Sequence, residues 1–314
     1  MFIFLFGEDT YRLQKKLNEI QDEYKKVHKN ELNLTRIDVS NVEFKEFIDE
    51  LSQRSMFVKR KLFLLENLFS NEKFQKDLIK KIKEITKSKD LVVIFEKGKI
   101  SKKNKLFLAL KKYAKCEEFK PLKDTELQRW VKNELKKYKM GISYEAANLI
   151  LEFIGNDLWQ ISNEIKKLVC LKRSAKEKEI NTQDIKNIVK PNLEANIFEI
   201  INSLAQKDKK KALNLIQIGL DKGDMPIDIL RMINYQFRAL LIAKALADQG
   251  KGLNDFFGLN MFKPYPAKKA WYASAGFSLD ELKKIYQKIF EADLDIKTKN
   301  IQKEEILKML IIDI

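Results

Sequence analysis

Short apolar runs recur through the first 120 residues, separated by amphipathic stretches, and after Pro121 the runs stop. This change of rhythm limits the possible folds more than any other feature of the chain. Strands show as brief apolar or alternating runs, helices as apolar residues spaced three and four apart. Strand candidates are Phe2–Phe6, Leu34–Val39, Lys61–Glu66, Leu91–Glu96 and a short one at Glu117–Phe119. Helix candidates 10–27, 43–52, 71–86 and 102–113 lie between them. Strands alternating with helices of this length predict a mostly parallel, doubly wound sheet. The unbroken Val92-Val93-Ile94-Phe95 fits a strand covered on both faces.

Beyond Pro121 no strand is expected. Helices are predicted at 124–138, 143–154, 157–172, 182–189, 194–206, 208–222, 226–249, 279–294 and 301–311. Asp208 and Asp224 read as helix-start signals, with Pro226 in the first turn of the longest helix. Pro191-Asn192 marks a break, and Gly250–Gly258 and Pro264–Pro266 read as loops. The expected class is α/β plus all-α: an α/β domain over 1–121, a small helical domain over 122–191 and a larger helical domain over 192–314. No repeat of solenoid length is visible.

The first strand runs into Gly7-Glu8-Asp9-Thr10-Tyr11-Arg12 and then a helix, the architecture of a nucleotide-phosphate loop. Such a loop reads G-x-x-x-x-G-K-[ST], which from Gly7 requires glycine, lysine and a hydroxyl at the positions held here by Arg12, Leu13 and Gln14. Glu8 and Asp9 would also repel a triphosphate at a helix N-terminus that normally attracts one. Gly7, Glu8, Asp9 and Thr10 therefore read as a degenerate phosphate loop, with no bound nucleotide or other cofactor expected.

Hydrophobic residues make up 45% of the chain and charged residues 34%, which suits a folded globular protein. No apolar stretch approaches the ~18 residues that suggest a membrane span, and no secretory leader is recognisable, so no membrane partner is expected. Cys116 and Cys170 lie far apart in lysine-rich surroundings and read as free thiols of a reducing cytoplasm. The net charge of +16 favours polyanionic partners, although only eight of the 61 basic residues are arginine and the lysines are spread over every helix. The single histidine, His28, reads as an exposed loop residue. One histidine in a basic run supports neither a metal site nor a catalytic triad, and no catalytic residue is assigned. Trp130, beside Arg129 and Lys132, and Trp271, beside Lys268 and Lys269, could stack on bases but fit half-buried packing better.

The assembled pattern resembles the delta-subunit family of bacterial DNA polymerase III, a clamp-loader branch of the AAA+ superfamily. The resemblance is carried by Gly7-Glu8-Asp9-Thr10-Tyr11, by Ser52-Gln53-Arg54-Ser55-Met56-Phe57 with Lys59-Arg60-Lys61-Leu62-Phe63-Leu64-Leu65-Glu66-Asn67, and by Gly155-Asn156-Asp157-Leu158 with Asn163-Glu164-Ile165-Lys166-Lys167-Leu168. It continues in Ile197-Phe198-Glu199-Ile200, Tyr235-Gln236-Phe237-Arg238-Ala239-Leu240, Tyr265-Pro266 and Asp295-Ile296-Lys297-Thr298. It implies an AAA+-like parallel α/β domain, a helical lid and a C-terminal helical collar. An active AAA+ lid carries Gly-Asp-x-Arg; here Gly155-Asn156-Asp157-Leu158-Trp159 stands in that place without the arginine. Asn67 likewise follows Glu66 where a magnesium-holding acid would be. With lysine, hydroxyl and lid arginine missing, phosphoryl transfer has lost its electrostatic components, so the resemblance implies an accessory polymerase subunit that does not hydrolyse ATP.

Gln53-Arg54-Ser55-Met56-Phe57 resembles the clamp-binding pentapeptide of that family. There the glutamine fixes register while two adjacent apolar side chains enter a pocket on the clamp. Burying Met56 and Phe57 would contribute roughly 1.5–3 kcal/mol each before ordering costs. Pattern alone allows the other reading, that Phe57 and Val58 are core residues leading into the next strand. The resemblance implies as partners the sliding clamp (beta), the clamp-loader ATPase (gamma/tau) and delta-prime subunits, and primed DNA. The C-terminal apolar groups Ile229, Leu230, Ile233 and Phe237, and Ile306, Leu307, Leu310 and Ile311, are expected in the core rather than at an interface. Two alternatives remain at this point. One is an ATPase-dead subunit of the delta-prime type, which usually carries a cysteine-rich zinc module and a Ser-Arg-Cys finger that this chain lacks. The other is a basic nucleic-acid-binding scaffold.

Overall fold

The structure, a computed structural model, describes residues 1–27, 34–53, 60–262 and 264–314. His28 lies outside the described residues. The chain divides into two compact units, Met1–Glu134 with Asn156–Asn163, and Leu135–Gly155 with Glu164–Ile314.

The first unit is built on five parallel strands: β1 (Phe2–Gly7), β2 (Leu34–Asp38), β3 (Leu62–Glu66), β4 (Leu91–Lys97) and β5 (Lys115–Phe119). Their spatial order is β2-β3-β4-β1-β5. β1 pairs with β4 from Phe2 opposite Val92 to Gly7 opposite Lys97, and with β5 from Ile3 opposite Lys115 to Gly7 opposite Phe119. All five expected strands are present, each within two residues of its predicted ends.

Because strand side chains alternate, the continuous apolar run of β1 feeds two cores at once. Phe2, Phe4 and Phe6 join Phe63, Leu65, Val92 and Ile94 on one face. There they meet Phe47 of α2 (Phe44–Ser52), Phe74 and Leu78 of α3 (Glu72–Ile85), and Leu106, Phe107 and Leu110 of α4 (Lys105–Tyr113). Ile3 and Leu5 join Leu62, Leu64, Val93 and Phe95 on the other face, under α1 (Thr10–Val27). Leu13, Leu17, Ile20 and Tyr24 form the buried stripe of that helix. At ~25 cal/mol per Å² of apolar surface, two covered faces supply a far larger driving force than a one-sided sheet of this size. α5 (Asp124–Lys136) and α7 (Leu158–Ser174) contribute their N-terminal parts to this unit.

The second unit is mostly helical. α6 (Tyr144–Ile154) and α8 (Thr182–Ile188) come with two strands that the sequence reading did not predict, β6 (Gly141–Ile142) and β7 (Glu179–Ile180). The two pair in parallel but have only two residues each, too short to show a period. Asn192 starts α9 (Leu193–Ala205), as the Pro191-Asn192 break suggested: its side chain accepts from the Ala195 N–H at 2.8 Å and donates to the Ile154 carbonyl at 2.9 Å.

Beyond lie α10 (Lys209–Asp221), the long α11 (Pro226–Asp248), α12 (Leu253–Gly258), α13 (Pro264–Ala273), α14 (Leu279–Thr298) and α15 (Lys303–Asp313). Asp208 caps α10, accepting from the Lys211 N–H at 2.9 Å. Met225 rather than Asp224 holds the cap position of α11, so Asp224 lies one residue too early. The stretches read as loops after Gly250 and from Pro264 contain α12 and α13. Gly252 donates its N–H to Asp255 at the start of one, and Pro264 opens the other with a preset φ. α14 runs four residues past its expected end, supported by Asp293–Lys297 and Asp295–Lys299 ion pairs and by buried Ile296. Ile229, Leu230, Ile233, Phe237, Ile306, Leu307, Leu310 and Ile311 all lie in the core of this unit. Among the described residues no helix is long and apolar enough to cross a membrane.

Candidate functional site: a filled phosphate loop

Gly7 ends β1 at the carboxyl edge of the sheet with φ +144°, and a Cβ there would stand 2.2 Å from the Phe119 carbonyl oxygen. Only glycine permits this approach, which lets the Asp9 N–H donate to the same carbonyl at 3.0 Å. α1 then begins at Thr10, and the N–H groups of Thr10, Arg12 and Leu13 in its first turn are satisfied from within the chain. The Asp9 carboxylate accepts from the Arg12 N–H at 3.0 Å, and the Asp9 carbonyl from the Leu13 N–H at 3.1 Å. Arg12 folds back so that its Nε donates to Asp9 at 2.6 Å, while its guanidinium also reaches the Lys120 carbonyl. Asp9 is only 7% exposed, so its negative charge occupies the place where a phosphate would meet the positive end of the helix. Glu8 forms an ion pair with Lys99 at 3.3 Å. Leu13 of α1, at the position of the phosphate-loop lysine, is fully buried in the core between that helix and the sheet.

The start of α7 meets this loop through Trp159. Asp157 starts α7 by accepting from the N–H groups of Trp159 at 2.9 Å and Gln160 at 3.2 Å. The Trp159 indole Nε1 donates to Thr10 Oγ1 at 3.0 Å. Tyr11 lies edge-on between Trp130, 5.5 Å away, and Trp159, 5.0 Å away, and its hydroxyl is 2.9 Å from Ser162 Oγ. Thus the residue standing in the family's lid-arginine region contacts the loop with a neutral donor and an aromatic face.

Carboxylates at the ends of β2, β3 and β4 have structural partners. Glu66 pairs with Arg36 at 3.3 Å. Asn67 takes a left-handed turn, φ 58°, and donates to Asp38 at 3.0 Å. Buried Glu96 accepts from the N–H groups of Leu68 at 3.1 Å and Phe69 at 3.4 Å, fixing the chain after β3. Burial pushes the Glu96 carboxyl above its usual range, the two backbone N–H groups oppose that shift, and Asp38 and Glu66 add to it. No group of three or more His, Cys, Asp or Glu residues among those described is placed to hold a metal ion.

Gln53 is exposed where α2 ends, and its N–H donates to the Asp49 carbonyl at 3.1 Å. Ser55, Met56 and Phe57 lie outside the described residues. The described flanks are tied down: Lys61 Nζ donates to the Glu50 carbonyl at 3.0 Å, and the Arg60 carbonyl accepts from the Tyr24 hydroxyl at 2.6 Å.

A parallel α/β unit ahead of a helical unit is what the delta-family resemblance implied. Family models agree: residues 3–120 match the DNA polymerase III delta subunit, and residues 194–314 match the C-terminal domain of that subunit. The chain belongs to the DNA polymerase III delta-subunit family. Residues 123–187 match a model described as a middle domain. The chain is 27% identical to DNA polymerase III subunit delta of Bacillus subtilis over 99% of its own length and 91% of the relative's. It is 25% identical to a probable DNA polymerase III subunit delta of Aquifex aeolicus, over 80% of this chain and 72% of that one. The solved Bacillus subtilis DNA clamp loader delta protein superposes with a TM-score of 0.66 at 25% identity, covering 99% of this chain and 94% of that structure.

As a delta subunit, the chain is an accessory component of the DNA polymerase III clamp loader. Sequence reading found its loop residues Gly7, Glu8, Asp9 and Thr10 and treated the acids as repulsive. It missed that Asp9 caps α1, that Arg12 clamps Asp9, and that Tyr11, Trp130 and Trp159 pack together. The i,i+3 spacing of Asp9 and Arg12 was a usable signal; nothing in the sequence linked Thr10 to a tryptophan 149 residues away. Trp130 and Trp271 are half-buried packing residues, the latter against Phe256 at 6.0 Å.

Proposed function

We propose that this delta subunit binds the sliding clamp and opens one ring interface so that the clamp can be loaded on primed DNA, without hydrolysing ATP itself. The reading rests first on the α1 N-terminus, where the Asp9 carboxylate, held by Arg12, takes the place of a phosphate. A triphosphate would have to displace a buried, hydrogen-bonded anion, and no lysine at position 13 would compensate it. Energy for ring opening then comes from clamp binding by this chain and from ATP turnover in partner gamma/tau subunits, with delta-prime completing the assembly. In this reading residues 1–121 form the AAA+-like domain, 122–191 the lid and 192–314 the collar.

Clamp contact is assigned to Gln53, Ser55, Met56 and Phe57. Supporting it, Gln53 is exposed at a helix end, and Lys61 ties the far flank of the segment to Glu50. Replacing Met56 and Phe57 together with alanine is expected to abolish clamp capture in a pull-down while leaving thermal unfolding unchanged. Lost stability with clamp binding intact would sink the assignment and return both residues to the core. Salt-sensitive DNA binding with no clamp affinity in the parent chain would instead favour the basic-scaffold reading.

A further inference from the structure

In the helical unit, a cleft of about 390 Å³ opens beside the turn between α9 and α10 and the first half of α14. Its floor is apolar: Leu204, Ala205, Phe277 and Ile285. Four lysines line it as well, Lys207, Lys209, Lys284 and Lys288, with Glu281 as the acidic side chain among them.

Two of these charges are held in place. Lys209 Nζ donates to the Ile312 carbonyl at 2.6 Å, and Lys288 Nζ donates to the Asp313 carbonyl. Each ammonium has three donors, so both retain capacity for another acceptor. Lys207 sits at a left-handed turn, φ 60°, with its backbone N–H bonded to the Leu204 carbonyl at 3.0 Å. Lys284 stands one helical turn after Glu281 on α14. Positive charge ordered before a partner arrives lowers the entropy lost on binding.

We infer that this cleft docks an acidic peptide segment, with one bulky apolar side chain on the floor formed by Leu204, Ala205, Phe277 and Ile285 and its carboxylates on the surrounding lysines. Charge complementarity selects an acidic partner, and the floor selects a peptide among acidic polymers. A nucleic-acid strand would gain from an exposed ring to stack on, but Phe277 is only 7% exposed and no other aromatic residue lines the cleft. The size falls within the ~300–1,000 Å³ of small-ligand sites, enough for a short anchor rather than a folded domain. The inference does not depend on clamp binding, which is assigned to a different unit of the chain.

The test is fluorescence anisotropy on the full chain with three labelled probes: four aspartates followed by phenylalanine, four aspartates followed by serine, and oligothymidylate of equal charge. The variant Lys207→Gln/Lys284→Gln leaves intact the bonds from Lys209 and Lys288 to the α15 carbonyls, and circular dichroism checks that it folds. Binding of the phenylalanine peptide, at least about fivefold tighter than the serine peptide and weakened about tenfold in the variant, is the expected result. Equal affinity for all three probes would reduce the cleft to a general basic surface and overturn the inference. So would tighter binding of the oligonucleotide, absence of peptide binding, or peptide binding unchanged in the folded variant.

Discussion

Replacing Gly7 with alanine should unfold the N-terminal α/β unit at markedly lower urea, and the structure sets the size of the effect. The new Cβ would lie 2.2 Å from the Phe119 oxygen and 2.7 Å from its carbonyl carbon, both backbone atoms that no rotamer change can move away. β1 and β5 must therefore separate at their carboxyl ends, which breaks the 3.0 Å bond from the Asp9 N–H to Phe119. Holding a non-glycine residue at φ +144° costs about 1–3 kcal/mol, and the lost hydrogen bond about 1 more. A total of roughly 2–4 kcal/mol is a large part of the ~5–15 kcal/mol that stabilises a typical domain. With a urea dependence near ~2 kcal/mol/M, the midpoint should fall by about 1–2 M. Trp130 and Trp159 lie in this unit and Trp271 in the other, so a Trp271→Phe background makes tryptophan fluorescence a reporter of the first unit alone. Gly98→Ala is the control: Gly98 has φ +92° but nothing within 4 Å of its Cβ position, so it carries strain without overlap and should lose only about 1 kcal/mol. If Gly7→Ala shifted the midpoint no more than Gly98→Ala, the close approach of β1 to β5 would not be what requires glycine.

Restoring the phosphate-loop signature with Arg12→Gly, Leu13→Lys and Gln14→Thr should not restore ATP binding in calorimetry, because a lysine at position 13 enters the fully buried core under α1; measurable MgATP binding would refute this. Trp159→Phe keeps an aromatic ring but removes the donor to Thr10, and should lower stability by about 1 kcal/mol in urea unfolding; no change would show that the bond contributes nothing. Glu96 has a raised carboxyl pKa, so its protonated form is favoured by folding. Its contribution is fully present below the usual value of 4.5 and is lost as pH rises through the folded value. Glu96→Gln should therefore flatten the decline of stability from weakly acidic to neutral pH. An unchanged pH profile would point to another group.

Element order was legible because each strand and most helices carry their period locally. Phe2–Phe6 is apolar throughout and Leu13, Leu17, Ile20 and Tyr24 recur at helical spacing, so both could be placed without knowing their partners. β6 and β7 were not legible, since two residues have no period. α12 and α13 hid behind glycine and proline, which mark helix starts as readily as loops. In the site, the absent lysine was visible as a letter. What replaced it was not, because capping of α1 by Asp9 depends on where the backbone turns.

The sequence alone determined the succession of a parallel α/β unit and a helical unit, and it determined that position 13 has no cation to offer a phosphate. Both follow from residue type and local spacing. Only the tertiary structure decided that β4 sits between β1 and β3. It alone brought Trp159 onto Thr10 and set Glu96 under Leu68 and Phe69. These contacts join residues far apart in the chain, and their geometry is fixed by how the sheet faces are covered rather than by any pattern within one segment.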